Sequence, residues 1–143
     1  MAGDPMPKKS LAPIEHISTP SAPKPGGHYS QAAAWGDLVY VSGQLPGRTD
    51  GSSTADLPFE AQARQAIANL LATLAAAGSG PDHTLKVTAY IVGIDHWTSF
   101  NQVYAELFGQ ACPARAVVPV PALHHGYLIE IEAVAVREAM SPS

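Results

Sequence analysis

Arg115 and Glu130 are the side chains that most need a chemical explanation. Arg115 enters an apolar extended segment running to Val120, and Glu130 interrupts a strand-like run whose neighbours Ile129, Ile131 and Ala133 are hydrophobic. If both are drawn inward, desolvation makes each charge expensive until mutual pairing, other hydrogen bonds or a ligand satisfies it. The fifteen residues between them are compatible with facing positions on two strands that share a functional site. Structural pairing and simple exposure fit the same pattern. Asn101 is a second polar interruption, set among Trp97, Phe100, Tyr104 and Phe108 at helical spacing. A buried amide demands partners whether it contacts a ligand or only the interior. His124-His125 has no third ligand and is read as a pair of polar loop residues, and Cys112 as an inert packed thiol. There is no phosphate-cradling glycine loop, no paired-cysteine zinc pattern and no GxSxG elbow.

These residues need elements to hold them. Met1 to Gly26 contains six prolines, whose missing amide donors make helix or sheet costly, so residues 1–26 are expected to be a flexible tail. A strand around Tyr29 to Ala34, a turn at Gly36-Asp37 and a return through Leu38 to Gln44 predict a hairpin. After a loop rich in Gly, Ser and Thr, a helix is predicted from Asp56 or Leu57, with Pro58 in its first turn. Phe59, Ala63, Ile67, Leu70 and Leu74 recur on its apolar side, Glu60 and Arg64 form an i,i+4 pair, and Gly78, Gly80 and Pro81 end it.

Leu85, Val87, Ala89 and Ile91 alternate with Lys86, Thr88, Tyr90 and Val92, which is the period of a strand. Asp95 can cap a second helix that stops at Gly109. Arg115 to Val120 is extended, with Pro119 marking an edge, bulge or strand end. Tyr127 to Val136 places Ile129, Ile131, Ala133 and Ala135 on one face of a final strand. The order β-β-α-β-α-β-β makes the fold class α+β, with one domain over 27–138 and a short C-terminal tail at 139–143.

A chain of 143 residues with 46% hydrophobic content is long enough for one sizeable core. Twelve acidic against eight basic residues give a net charge of -4 and no basic run to track phosphates, which argues against nucleic acid. One cysteine excludes an intrachain disulfide, no secretory segment is evident and no apolar stretch reaches bilayer length, so the expected location is cytoplasmic and away from membrane.

Five segments in this order, GHYSQA at Gly27–Ala32, GDLVYVSGQLP at Gly36–Pro46, FNQVYAELF at Phe100–Phe108, PARAVV at Pro113–Val118 and IEIEAVAV at Ile129–Val136, resemble the Rid (YjgF-like) family of enamine and imine deaminases. The resemblance implies a chorismate-mutase-like fold, a mixed sheet packed by two helices, assembled as a homotrimer with ligand clefts at subunit boundaries. It also implies metal-independent hydrolysis, with no cofactor, of a small carboxylated imine or enamine such as 2-iminopropanoate to a ketoacid and ammonia. Arg115 matches the residue that grips the substrate carboxylate, and Glu130 the one that orients water and shuttles a proton. Tyr29, Ser42, Gly43 and Asn101 match pocket positions that contact substrate. Many close relatives place cysteine two positions after the arginine, where this chain has Val117, so the pocket is more apolar and the exact substrate is open. A non-catalytic carboxylate-binding trimer and a deaminase for an aminomuconate-like dicarboxylate are the alternatives.

Overall fold

The computed structural model describes residues 10–138. Its strands are β1 (Glu15–Ile17), β2 (Ala32–Trp35), β3 (Leu38–Gln44), β4 (Thr84–Val92), β5 (Ala114–Val120) and β6 (Ile129–Val136), and its helices are α1 (Phe59–Ala76) and α2 (Trp97–Phe108). They form one mixed sheet in the order β1-β2-β3-β6-β4-β5, with β4 and β5 parallel and the other pairs antiparallel. Parallel neighbours need a crossover connection. Accordingly α2 joins β4 to β5, and α1 joins β3 to β4 across the intervening β6.

The core lies between the helices and one face of the sheet. Ala63, Ile67, Leu70 and Leu74 of α1 and Phe100 of α2 are sealed against Val39, Val87, Ala89, Ile91, Ile129 and Ile131. Strand residues at every second position supply that face, so the alternation in β6 is borne out residue by residue. Gly78, with φ of 83°, ends α1 as expected: its amide donates to Ala75 and the Ser79 amide to Leu74, closing the last turn. Gly36, with φ of 58°, makes the tight turn between β2 and β3. Arg64 donates to Glu60 at 3.3 Å, as expected, and also reaches Glu106 of α2 at 2.7 Å.

Four local expectations are corrected. Residues 15–17, placed in the tail, form β1 on the outer edge of β2. Proline content misled there because the segment is held by a side chain from elsewhere. Buried Gln31 accepts a hydrogen bond from the Thr19 amide at 2.6 Å and donates toward the carbonyls of Thr19, Ala22 and Pro23 at 3.0, 3.2 and 2.9 Å. Leu85 faces outward, 50% exposed, because a register shift between Thr84 and Lys86 breaks the alternation and turns Thr84 inward instead. Asp95 caps nothing: it lies in a short 3-10 turn, and His96 occupies the helix cap without a side-chain bond. Pro58 stands just before α1 rather than inside its first turn. The expected C-terminal tail at 139–143, and residues 1–9 of the N-terminal one, lie outside the described residues.

Gln31→Ala leaves the Thr19 amide and three carbonyls without this partner, so it should cost about 2 kcal/mol in denaturant unfolding. Hydrogen exchange should show lost protection in β1 with α1 unaffected. Unchanged protection of Glu15–Ile17 would contradict this tethering role.

Candidate functional site

Glu130 sits on the side of the sheet that no helix covers. In β6 it alternates with buried Ile129 and Ile131, and it stands opposite Tyr90 of β4. Tyr90 donates its hydroxyl to Glu132 at 2.7 Å, which leaves the Glu130 carboxylate without a hydrogen-bond partner among the described residues. Opposite it, β3 departs from regular pairing between Val41 and Gln44, and this irregularity contains Ser42 and Gly43. A Cβ at Gly43 would lie 2.5 Å from Glu130 Oε1, so only glycine lets the carboxylate approach the strand so closely.

Tyr29, Ser42, Gly43 and Glu130 line one cavity of about 490 Å³, together with His124 and His125. Ser42 donates its hydroxyl to the Ser30 carbonyl at 2.6 Å, which fixes this wall and leaves the Ser42 oxygen to act as an acceptor. The Tyr29 hydroxyl accepts the Gly26 amide at 3.1 Å, and the exposed ring forms a side of the cavity. His125 has φ of 61°, an uncommon conformation for a residue with a side chain and one that recurs at functional sites. Burial raises the Glu130 carboxyl above its usual range; the positive charge of His124 opposes that shift and Glu132 adds to it.

Arg115 lies on the other side of the sheet. It stands opposite Val87, whose side chain is buried against the helices, and Val117, on the same side of β5, packs against the core. The guanidinium carbon is 4.7 Å from the ring centroid of Tyr104, 5.5 Å from Phe100 and 5.9 Å from Trp97. Asn101 accepts a hydrogen bond from Nη1 at 2.9 Å. Aromatic faces and one amide thus hold the cation in place. Among the described residues no carboxylate lies within ion-pair distance of Arg115, so most of its donors keep their capacity for an incoming anion.

The six residues singled out from the sequence therefore fall into two groups. Tyr29, Ser42, Gly43 and Glu130 converge on the open face; Arg115 and Asn101 converge on the helix face. Facing positions for Arg115 and Glu130 in one chain are corrected: their partners on β4, Val87 and Tyr90, are three residues apart and point to opposite sides. Sequence reasoning missed the roles of Trp97, Phe100 and Tyr104 around Arg115, because the same helical stripe also packs the core. It also treated His124-His125 as a plain loop, although both side the Glu130 cavity. Cys112, expected to be packed, is exposed in the connection between α2 and β5. Among the described residues no three His, Cys, Asp or Glu side chains cluster as metal ligands, and no helix is long and apolar enough to cross a membrane.

Comparison with known proteins agrees with this architecture. The family model described as Endoribonuclease L-PSP matches residues 19–137. An RutC family protein of Pyrococcus horikoshii is 40% identical over 124 residues, covering 87% of this chain and 98% of its own length. A 2-iminobutanoate/2-iminopropanoate deaminase of Dermatophagoides farinae is 35% identical over 128 residues, covering 90% and 100%. The crystal structure of the E. coli YjgF gene product superposes with a TM-score of 0.81 at 33% identity, covering 87% of this chain and 99% of that one. With the fold and most of the chain's length in agreement, the chain belongs to the Rid (YjgF) family, whose model carries the description Endoribonuclease L-PSP.

Proposed function

We propose that this protein hydrolyses small carboxylated imines or enamines to ketoacids and ammonia, in sites shared between the subunits of a homotrimer. The observation that carries the reading is the pairing of a preorganised, carboxylate-free Arg115 with a half-buried, unpartnered Glu130 on opposite faces of one sheet. Neighbouring strands run about 5 Å apart, so β5 and β6, separated by β4, are about 10 Å apart before the thickness of the sheet is added. A small imine cannot touch both in one chain. A second copy presenting its helix-side Arg115 to the cavity of the first brings them together. The uncovered sheet face, with Tyr40 56% and Val118 37% exposed, supports burial against such a copy.

In the assembled site Arg115 takes the substrate carboxylate through parallel N–H donors. Glu130, ionised, accepts a proton from water as its oxygen attacks the C=N carbon. Returning that proton to nitrogen gives the neutral tetrahedral carbinolamine; its hydroxyl proton then passes through Glu130 to the nitrogen, and the C–N bond breaks as C=O forms, releasing ammonia and the ketoacid. Relatives named as deaminases of 2-iminobutanoate and 2-iminopropanoate support the substrate class. The net charge of -4 supports small-molecule chemistry over the nucleic acid in the family description.

The direct test is ammonia release from freshly generated 2-iminopropanoate. Glu130→Gln should keep pyruvate affinity and lose turnover by roughly a hundredfold or more. Arg115→Lys should weaken binding by roughly tenfold and Arg115→Ala by more. Saturable pyruvate binding with no turnover in the parent protein would instead make it a carboxylate-binding module.

Light scattering should give three chain masses, and mixing tests the shared site separately. Reassembled mixtures of inactive Arg115→Ala and Glu130→Gln chains should recover activity in about a quarter of their sites, since each site draws the two groups from different subunits. No recovery in verified mixed trimers would place the reaction within one chain.

The acid limb of turnover should follow Glu130, with activity falling as pH drops through its raised pKa. His124→Ala removes the charge that opposes that rise and should move the limb to higher pH. For stability the sign is opposite. A carboxyl raised by folding contributes fully below its unfolded pKa, and the contribution is lost as pH rises through the folded value, so Glu130→Gln should melt no lower than the parent at neutral pH.

A further inference from the structure

The hydroxyl of Tyr104 is the one fully buried side-chain polar atom among the described residues that has no hydrogen-bond partner. Tyr104 is 6% exposed, and its ring stacks on Phe108 with centroids 4.2 Å apart and planes 15° from parallel. A buried phenol without a partner loses its hydration and gains nothing in return, so folding alone favours phenylalanine at this position. Its surroundings supply a reason for the oxygen. The Arg115 guanidinium carbon lies 4.7 Å from the centre of the same ring, and its charge acts on the phenol. Asn101, three residues earlier on α2, uses its carbonyl oxygen to hold Arg115, and so gives the arginine a fixed direction.

We propose that the Tyr104 hydroxyl is a second donor of the carboxylate site, donating to the anion that Arg115 grips. The inference rests on the carboxylate clamp proposed above and adds to it a neutral donor from α2. An O–H is suited to this role because it shares the carboxylate without competing for its charge, and stays a donor over the working range: burial pushes the phenol up to about 12, with the Arg115 charge opposing the shift. Asn101, Tyr104 and Arg115 then act as one unit, in which the amide orients the cation, the ring supports it and the hydroxyl completes the anion's coordination. The same arrangement gives selectivity for carboxylate over carboxamide, since an amide's NH₂ meets two facing donors.

Calorimetry with pyruvate and pyruvamide on the trimer tests this, using Tyr104→Phe, which keeps the ring and removes only the oxygen. Pyruvate should bind roughly tenfold more weakly, as expected for loss of a hydrogen bond to a charged group, while pyruvamide affinity stays the same. The melting temperature of the ligand-free variant should be equal or higher. If Tyr104→Phe binds pyruvate like the parent while Arg115→Ala does not, the clamp stands and the hydroxyl has no part in it. A lower melting temperature or a dissociated trimer, with unchanged affinity, would assign the hydroxyl to a subunit boundary and overturn the proposal. Pyruvate binding that survives Arg115→Ala would remove the clamp itself, and the second donor with it.

Discussion

Both helices cover the same face of one sheet, and most of the arrangement follows from that. A strand sends alternate side chains to opposite sides, so covering one side sorts every strand into a sealed half and an open half. The sealed half carries Val87, Ala89, Ile91, Ile129, Ile131 and their helical partners. The open half carries Tyr40, Thr88, Tyr90, Glu130 and Glu132, which cannot be satisfied by the core. Arg115 belongs to the sealed side but lies on the edge strand, where α2 supplies rings and an amide rather than a second layer of aliphatic side chains.

This sorting keeps two opposite charges apart. An arginine and a glutamate on the same side of neighbouring strands would neutralise one another, and neither would have capacity for a ligand. Here the cation is stabilised by π faces and Asn101, which are neutral, so its charge remains available. The carboxylate is raised by burial and held near a histidine pair, with Tyr90 engaged by Glu132 instead. Within one chain, each half is therefore poised but incomplete.

The loops show the same division between support and function. Gln31 ties down the segment from Thr19 to Pro23, and Asn69 donates to the carbonyls of Leu45 and Gly47 at 3.0 and 2.8 Å, so two buried amides fix the chain on either side of Tyr29 and Gly43. Both are polar residues used where a hydrophobic one would leave backbone groups unpaired. Leu45 lines the Glu130 cavity, so that wall rests on Asn69.

What the sequence determined by itself is local. The 3.6-residue period of α1, the glycine exit at Gly78, the turn at Gly36 and the alternation of β6 are set by neighbours within a few positions, and each could be read from spacing and residue type. Arg115, Glu130 and Asn101 stood out as polar interruptions of apolar patterns, and family motifs added Tyr29, Ser42 and Gly43. Tertiary structure alone decided where those residues stand relative to one another. β1 forms because Gln31, distant in sequence, holds its connection; Leu85 turns outward because of a register shift against β6. Arg115 and Glu130 face away from each other because parity is fixed by pairing with β4, which spacing along the chain cannot reveal. The two functions of the α2 aromatics were hidden for a related reason: a ring that seals the core and a ring that carries a cation occupy the same helical stripe, and only the position of Arg115 in space tells them apart.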